Sequence, residues 1–192
     1  MTANNVVLGI VKDLKDPQNL GRVRAVLPQH GNQLSEWAPI VSAGAGNARG
    51  SYFRPEIDDQ VMIVFERGDL RRPYVLGGVW CVPGPPPEKS GVNEVNDVRQ
   101  IITRSGHVLR FDDKAGAERI ELITAGGKQK VVLDKAGGGR IEVTATAGTV
   151  VVDAAGDVTV SSKANLTVTA TGDISITASG ALKLRGKTVD IN

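Results

Sequence analysis

Hydrophobic and polar residues alternate along this chain in two different rhythms. From Val6 to Trp80 the pattern gives five short runs: Val6–Val11, Gly21–Leu27, Trp37–Val41, Gln60–Glu66 and Tyr74–Trp80. Gly21-Arg22-Val23-Arg24-Ala25-Val26-Leu27 switches between polar and apolar at period two, the mark of a half-buried strand, and Pro28 closes it. Gln60-Val61-Met62-Ile63-Val64-Phe65-Glu66 is the strongest strand, rich in β-branched and aromatic residues. Asp16-Pro17-Gln18-Asn19 and Gly68-Asp69 are turn signals, and Ser42–Gly50 is a Gly/Ala loop. No run has the spacing of a helix of three turns. Short strands of this number in residues 1–81 predict an all-β, OB-fold barrel, whose closure removes exposed edges.

From Gly148 the period becomes eight. The octads are Gly148–Ala155, Gly156–Lys163, Ala164–Thr171, Gly172–Ser179 and Gly180–Lys187. Their third and fifth places hold Val150/Val152, Val158/Val160, Leu166/Val168, Ile174/Ile176 and Leu182/Leu184. The pattern slips by one at Val189/Ile191, and looser copies precede it at Ile120/Leu122, Val131/Leu133 and Ile141/Val143. Strands that offer two aliphatic side chains on one face cannot enclose a core within a single thin ribbon. Three copies wound about one axis, stripes inward, form a prism with a dry core. The expectation is a homotrimeric, intertwined triple-stranded β-helix over residues 101–192, with those ten octad residues as the trimer core. Glycine at the octad start permits a corner, and Thr and Ser suit the solvent face of a strand. A single-chain solenoid is the competing architecture, but its coils need internal turns for which eight residues leave no room.

Composition divides the 192-residue chain at the same place. All nine prolines lie at or before Pro87, and of the seven aromatics only Phe111 lies beyond Trp80. Between Ile141 and Gly180, 23 of 40 residues are Gly, Ala, Ser or Thr. The proline run in residues 82–100 reads as a stiff linker. Charge is balanced at net +2, and the barrel carries nine basic against eight acidic residues through Trp80, so no electrostatic footprint for nucleic acid is evident. Trp37, Phe65 and Trp80 sit inside apolar runs and read as core, and Arg71-Arg72 reads as a solvated turn. The single cysteine, Cys81, excludes an internal disulfide scaffold. Residues 1–11 lack a basic region followed by a long apolar run, so synthesis in the cytoplasm without a signal peptide is expected. No segment approaches the ~20 apolar residues of a membrane helix.

Several motifs occur in a fixed order: Gly21-Arg22-Val23-Arg24, Trp37-Ala38-Pro39-Ile40, Pro55-Glu56 with Val61–Glu66, and Gly68-Asp69-Leu70-Arg71-Arg72-Pro73-Tyr74-Val75-Leu76-Gly77-Gly78. The series resembles the OB domain of baseplate spike proteins: phage baseplate assembly protein V and the valine–glycine repeat spikes of type VI secretion. Asp58-Asp59-Gln60 departs from the Gly-Asp-Glu usual there. Ser105-Gly106-His107, Phe111-Asp112-Asp113, Ala117-Glu118-Arg119-Ile120 and the octads resemble the triple-stranded β-helix that follows it. The resemblance implies a central spike at the baseplate of a contractile injection system or phage tail. Its OB end would sit on baseplate hub and tail-tube proteins, and the particle would meet the target membrane only during puncture. It also implies a proline–alanine–alanine–arginine repeat tip protein, docked on Val189, Asp190, Ile191 and Asn192.

Residues able to do chemistry are sparse. His30 and His107 are far apart, and Cys81 stands alone, so no metal site, cofactor or catalytic residue is expected. His107 reads as packed beneath a strand or capping a turn. Asp58-Asp59 and Asp112-Asp113 are adjacent pairs whose side chains diverge in extended chain, which suits a turn or a solvated surface. The glycine-rich loop lacks the Lys-Ser/Thr of a phosphate loop. A carbohydrate-active β-helix is disfavoured, because no aromatic follows Phe111 on which a sugar would stack. The reading is non-enzymatic, without a nucleic-acid partner; the alternative is an OB-fold oligonucleotide- or glycan-binding module with a trimerising β-helical tail.

Overall fold

A computed structural model describes residues 6–87 and 95–191. Residues 88–94 of the expected linker, residues 1–5 and Asn192 lie outside the described residues. Internal contacts divide the chain into two units, Met1–Thr144 and Ala145–Asn192. Among the described residues the protein is all-β, and its only helical turns are short 3-10 segments such as Pro28–His30.

The first sheet contains β1 (Val6–Asp13), β2 (Arg24–Leu27), β3 (Gln33–Leu34), β6 (Gln60–Phe65) and β7 (Pro73–Gly78), in the order β3-β2-β1-β6-β7. Between them, β4 (Ala45–Gly46) and β5 (Arg49–Gly50) pair as a small hairpin within the predicted loop. Period-two alternation produces the core. Val7 and Val11 of β1, Ala25 and Leu27 of β2, Val61, Ile63 and Phe65 of β6, and Val75 of β7 all point inward, joined by Val23 and Ala38. Gly9 shares that inward face, where a Cβ would stand 2.6 Å from Ile63 Cδ1 and 3.0 Å from Ala25 Cβ. Only glycine lets β1 approach its neighbours so closely.

The expected strand Trp37–Val41 forms no continuous ladder. It is instead a clasp between the two sides of the sheet. Val23 and Ala38 exchange backbone hydrogen bonds of 3.1 and 2.8 Å, while Val75 N donates to Pro39 O at 2.9 Å and Val41 N to Val75 O at 2.8 Å. Pro39 has no N–H to donate, so a regular ladder cannot pass through it. The clasp joins β7 to the β2 side and closes the barrel.

Two of the three expected core aromatics are corrected. Phe65 is buried, with the edge of His30 against its ring at 6.0 Å. Trp37 is half-buried, lying within 6.0 Å of the Arg22 guanidinium and 5.8 Å of that of Arg24. Trp80 is 72% exposed. β7 ends at Gly78, and the last bond to its neighbour is Val79 N to Gln60 O, so nothing covers the tryptophan beyond it.

A second sheet is an antiparallel meander of β8 (Val98–Ile102), β9 (Val108–Asp112), β10 (Arg119–Ile123), β11 (Gln129–Asp134) and β12 (Arg140–Ala145). Its first strand begins inside the span read as linker. The looser apolar pairs at 120/122, 131/133 and 141/143 lie on β10, β11 and β12 in turn.

Candidate assembly interface

Register sorts the meander into two unlike faces. Arg99, Phe111, Ile120 and Leu133 stand opposite one another in one rung, and Ile101, Leu109, Leu122 and Val131 in the next. Phe111, Ile120, Leu122 and Leu133 are 39–51% exposed, and Ile141 and Val143 of β12 are more exposed still. The opposite face mixes aliphatic residues, among them Val108, Ile123 and buried Val132, with a cluster of charged side chains. Asp112, only 8% exposed, lies 3.7 Å from Arg110 and 3.5 Å from Arg119; Glu121 lies 3.9 and 3.6 Å from the same two bases. Lys130 and Arg140 converge on Glu142 at 2.9 and 3.1 Å. Hydrogen bonds from Thr144 and Lys130 lower the Glu142 pKa, and one from Lys135 lowers that of Glu118. A soluble sheet usually hides its apolar face. Here the one buried aliphatic residue of the sheet, Val132, lies on the charged face, and most aliphatic side chains of the other face are exposed.

The octads continue this arrangement without a sheet. Among residues 146–191 no strand is described. Val150, Val152, Val158, Val160, Leu166, Val168, Ile174, Ile176, Leu182 and Leu184 are 53–77% exposed, and Val189 and Ile191 are exposed as well. The single chain therefore gives these residues no core and their backbone no ladder. Asp190 is also exposed, whereas Asn192 lies outside the described residues.

With this geometry in view, comparison with known proteins bears on the barrel first. Residues 7–80 match the type VI secretion system/phage-baseplate injector OB domain. The match covers the barrel and less than half of the chain, and the barrel is similar to that OB domain. Much of the chain is similar to spike proteins. It is 27% identical to the spike protein of Escherichia phage P2 over 151 residues, 79% of this chain and 62% of that protein. It is 29% identical over 96 residues to the type VI secretion system spike protein VgrG4b of Pseudomonas aeruginosa, covering 48% of this chain and 12% of that one. The actin cross-linking toxin VgrG1 of Vibrio cholerae is 29% identical over 110 residues, 53% of this chain and 10% of the toxin. The chain thus spans less than two thirds of each relative's length. The expected resemblance to baseplate spike proteins is borne out.

Within the barrel, sequence reasoning missed one buried site. Asp16, taken only as a turn former, is buried and accepts backbone N–H bonds from Gln18, Leu20 and Arg22 at 2.9–3.2 Å. Its carboxylate also receives Arg22 Nη2 at 2.7 Å and Nε at 3.1 Å. The Arg22 hydrogen bond, helped by those amides against the cost of burial, holds the Asp16 carboxyl far below the usual carboxylate range. Arg54 donates to the carbonyls of Leu14 and Arg22, tying down the same loop. These arginines are bound within the barrel and are not presented to a polyanion. The remaining candidates are also structural. His107 Nδ1 accepts the Ala125 N–H at 3.1 Å, linking two turns of the meander, and Arg71 and Arg72 are exposed in their turn beside Asp69 and Glu66. Asp112 corrects the expectation for the Asp112-Asp113 pair. It is a buried acceptor of the charged face, while exposed Asp113 pairs with Arg99.

Proposed function

We propose that this chain is a non-enzymatic, homotrimeric central spike of a contractile injection system or phage tail. The OB barrel seats on baseplate hub and tube proteins, and residues 101–192 form the needle that passes through the target envelope. The carrying observation is the unpartnered apolar surface: one face of the meander and the whole octad stripe. Burying aliphatic surface stabilises by about 25 cal/mol per Å², and the octads have no other surface within the chain to bury it against. A second and third copy supply both the apolar contacts and the missing backbone partners. Such a closed, fully hydrogen-bonded prism suits a part that transmits load without opening an edge. The relatives named as spikes support this role. On the same reading, Val189, Asp190 and Ile191, with Asn192, seat a proline–alanine–alanine–arginine repeat tip protein, for which the exposed Val189 and Ile191 provide apolar contact.

Light scattering after size exclusion tests the assembly. The expected mass is about 60 kDa, three copies of the 20.2 kDa chain. A monodisperse monomer overturns the proposal.

A further inference from the structure

The barrel leaves one groove unfilled. Segment 42–53 closes on itself: the Ser51 N–H donates to Gly44 O at 2.9 Å, and the Ser42 hydroxyl stands 2.9 and 2.7 Å from the carbonyl oxygens of Gly44 and Ser51. Gly50 has a φ of +135°, and a Cβ there would meet Gly44 O at 2.1 Å, so only glycine closes the segment this tightly. Tyr52 leans on the connection between β1 and β2, where its Oη would stand 3.1 Å from a Cβ added at Gly21. Between the two loops runs a groove of about 690 Å³, lined by Leu20, Ile40, Val41, Tyr52 and Phe53, with Arg49 as its one charged residue. Arg49 has no carboxylate partner among the described residues. Tyr52 and Phe53 are 73% and 66% exposed. The remaining exposed aromatic among the described barrel residues is Trp80, which does not line the groove of its own chain.

We infer that Trp80 of one copy enters this groove on a neighbouring copy, so that three barrels clasp one another in a ring. The inference rests on the trimeric reading. Tryptophan and groove are different patches of one chain, so the contact is heterologous. Around a threefold axis it closes with an indole in every groove and none left over. Beyond Trp80 the chain runs on to the meander, whose aliphatic face is the interface proposed above, and the clasp extends that interface to the barrels. The groove suits an indole chemically. Its rings and aliphatic side chains take the flat apolar body, and aromatic anchors seated in such pockets carry much of an interface's energy. The Arg49 guanidinium supplies a cation, which favours the face of tryptophan over other rings. The barrel already uses that pairing within one chain, where Arg22 and Arg24 stand 6.0 and 5.8 Å from the centre of the Trp37 ring.

Fluorescence of the full-length protein tests the clasp, and the difference between the parent and Trp80→Phe isolates Trp80 from Trp37. The expected Trp80 signal is blue-shifted and weakly quenched by acrylamide, and Phe53→Ser loses both properties while remaining a trimer. Two copies are then co-expressed under separate tags, one with Phe53→Ser and an intact Trp80, the other with Trp80→Phe and an intact groove. Their mixed trimers should regain the blue shift. Failure to regain it places the indole in its own chain's groove and overturns the contact between copies. Burial that Phe53→Ser leaves unchanged overturns the groove as its seat. A blue shift that appears only when a hub protein is added overturns the clasp in favour of that partner. Mass is measured on every sample: a parent trimer whose Trp80 is quenched like free indole refutes the clasp alone, and a monomeric parent refutes the reading beneath it.

Discussion

At the scale of single residues, the barrel depends on two positions of opposite character. Gly9 holds space that a methyl group would need, between Ile63 and Ala25. Gly9→Ala should lower stability by about 1–3 kcal/mol through overpacking, read as a reduced denaturant midpoint at unchanged slope. Asp16 is held by charge. Its pKa is depressed in the folded barrel from an ordinary 3.8, so it contributes stability that is fully present above the unfolded value and is lost as pH falls through the folded one. Asp16→Asn should therefore be clearly less stable than the parent at neutral pH, with the gap narrowing steadily below about pH 4. A gap independent of pH, in denaturant titrations across that range, would contradict the role given to the carboxylate. The turn at Asp16 was legible from Asp-Pro-Gln-Asn, but its burial was not, because Arg54, which ties down the same loop through the carbonyls of Leu14 and Arg22, comes from a distant part of the chain. Trp80 misled for the converse reason: an apolar run does not reveal where its last partner strand stops.

Among the elements, the meander and the octads were legible to different depths. Alternation gave the strands of the barrel, except that Pro39 turned one of them into a clasp. The looser apolar pairs anticipated β10, β11 and β12, and register shows why: antiparallel pairing puts 120, 122, 131 and 133 on one face. The charged cluster was hidden from sequence, since Arg110, Asp112, Arg119 and Glu121 are brought together only across strands. If the apolar face is an interface between copies, Leu122→Asp should abolish the trimer in light scattering, because an unpaired buried charge is costly. Glu121→Gln, on the charged face, should leave the trimer intact at a cost of about 1 kcal/mol. In the octads, Val168→Asp should melt the needle and Thr167→Asp should not. Equal effects would place the stripe one residue out of register, since a slip of one exchanges the faces.

On the scale of the whole molecule, a barrel complete in one chain is followed by a stripe that one chain leaves bare. The barrel closes its own core. The octads expose their aliphatic places from Val150 to Leu184 and pair with no strand of their own chain. On the trimer proposed above, the partners the octads lack are the same residues in two further copies. Amide hydrogen exchange on the intact full-length protein measures interchain pairing directly. With the octads paired between copies, amides across residues 148–191 exchange slowly, with protection comparable to that of the barrel strands. Exchange of the octad amides at the rate of an open chain, while the barrel stays protected, would contradict it.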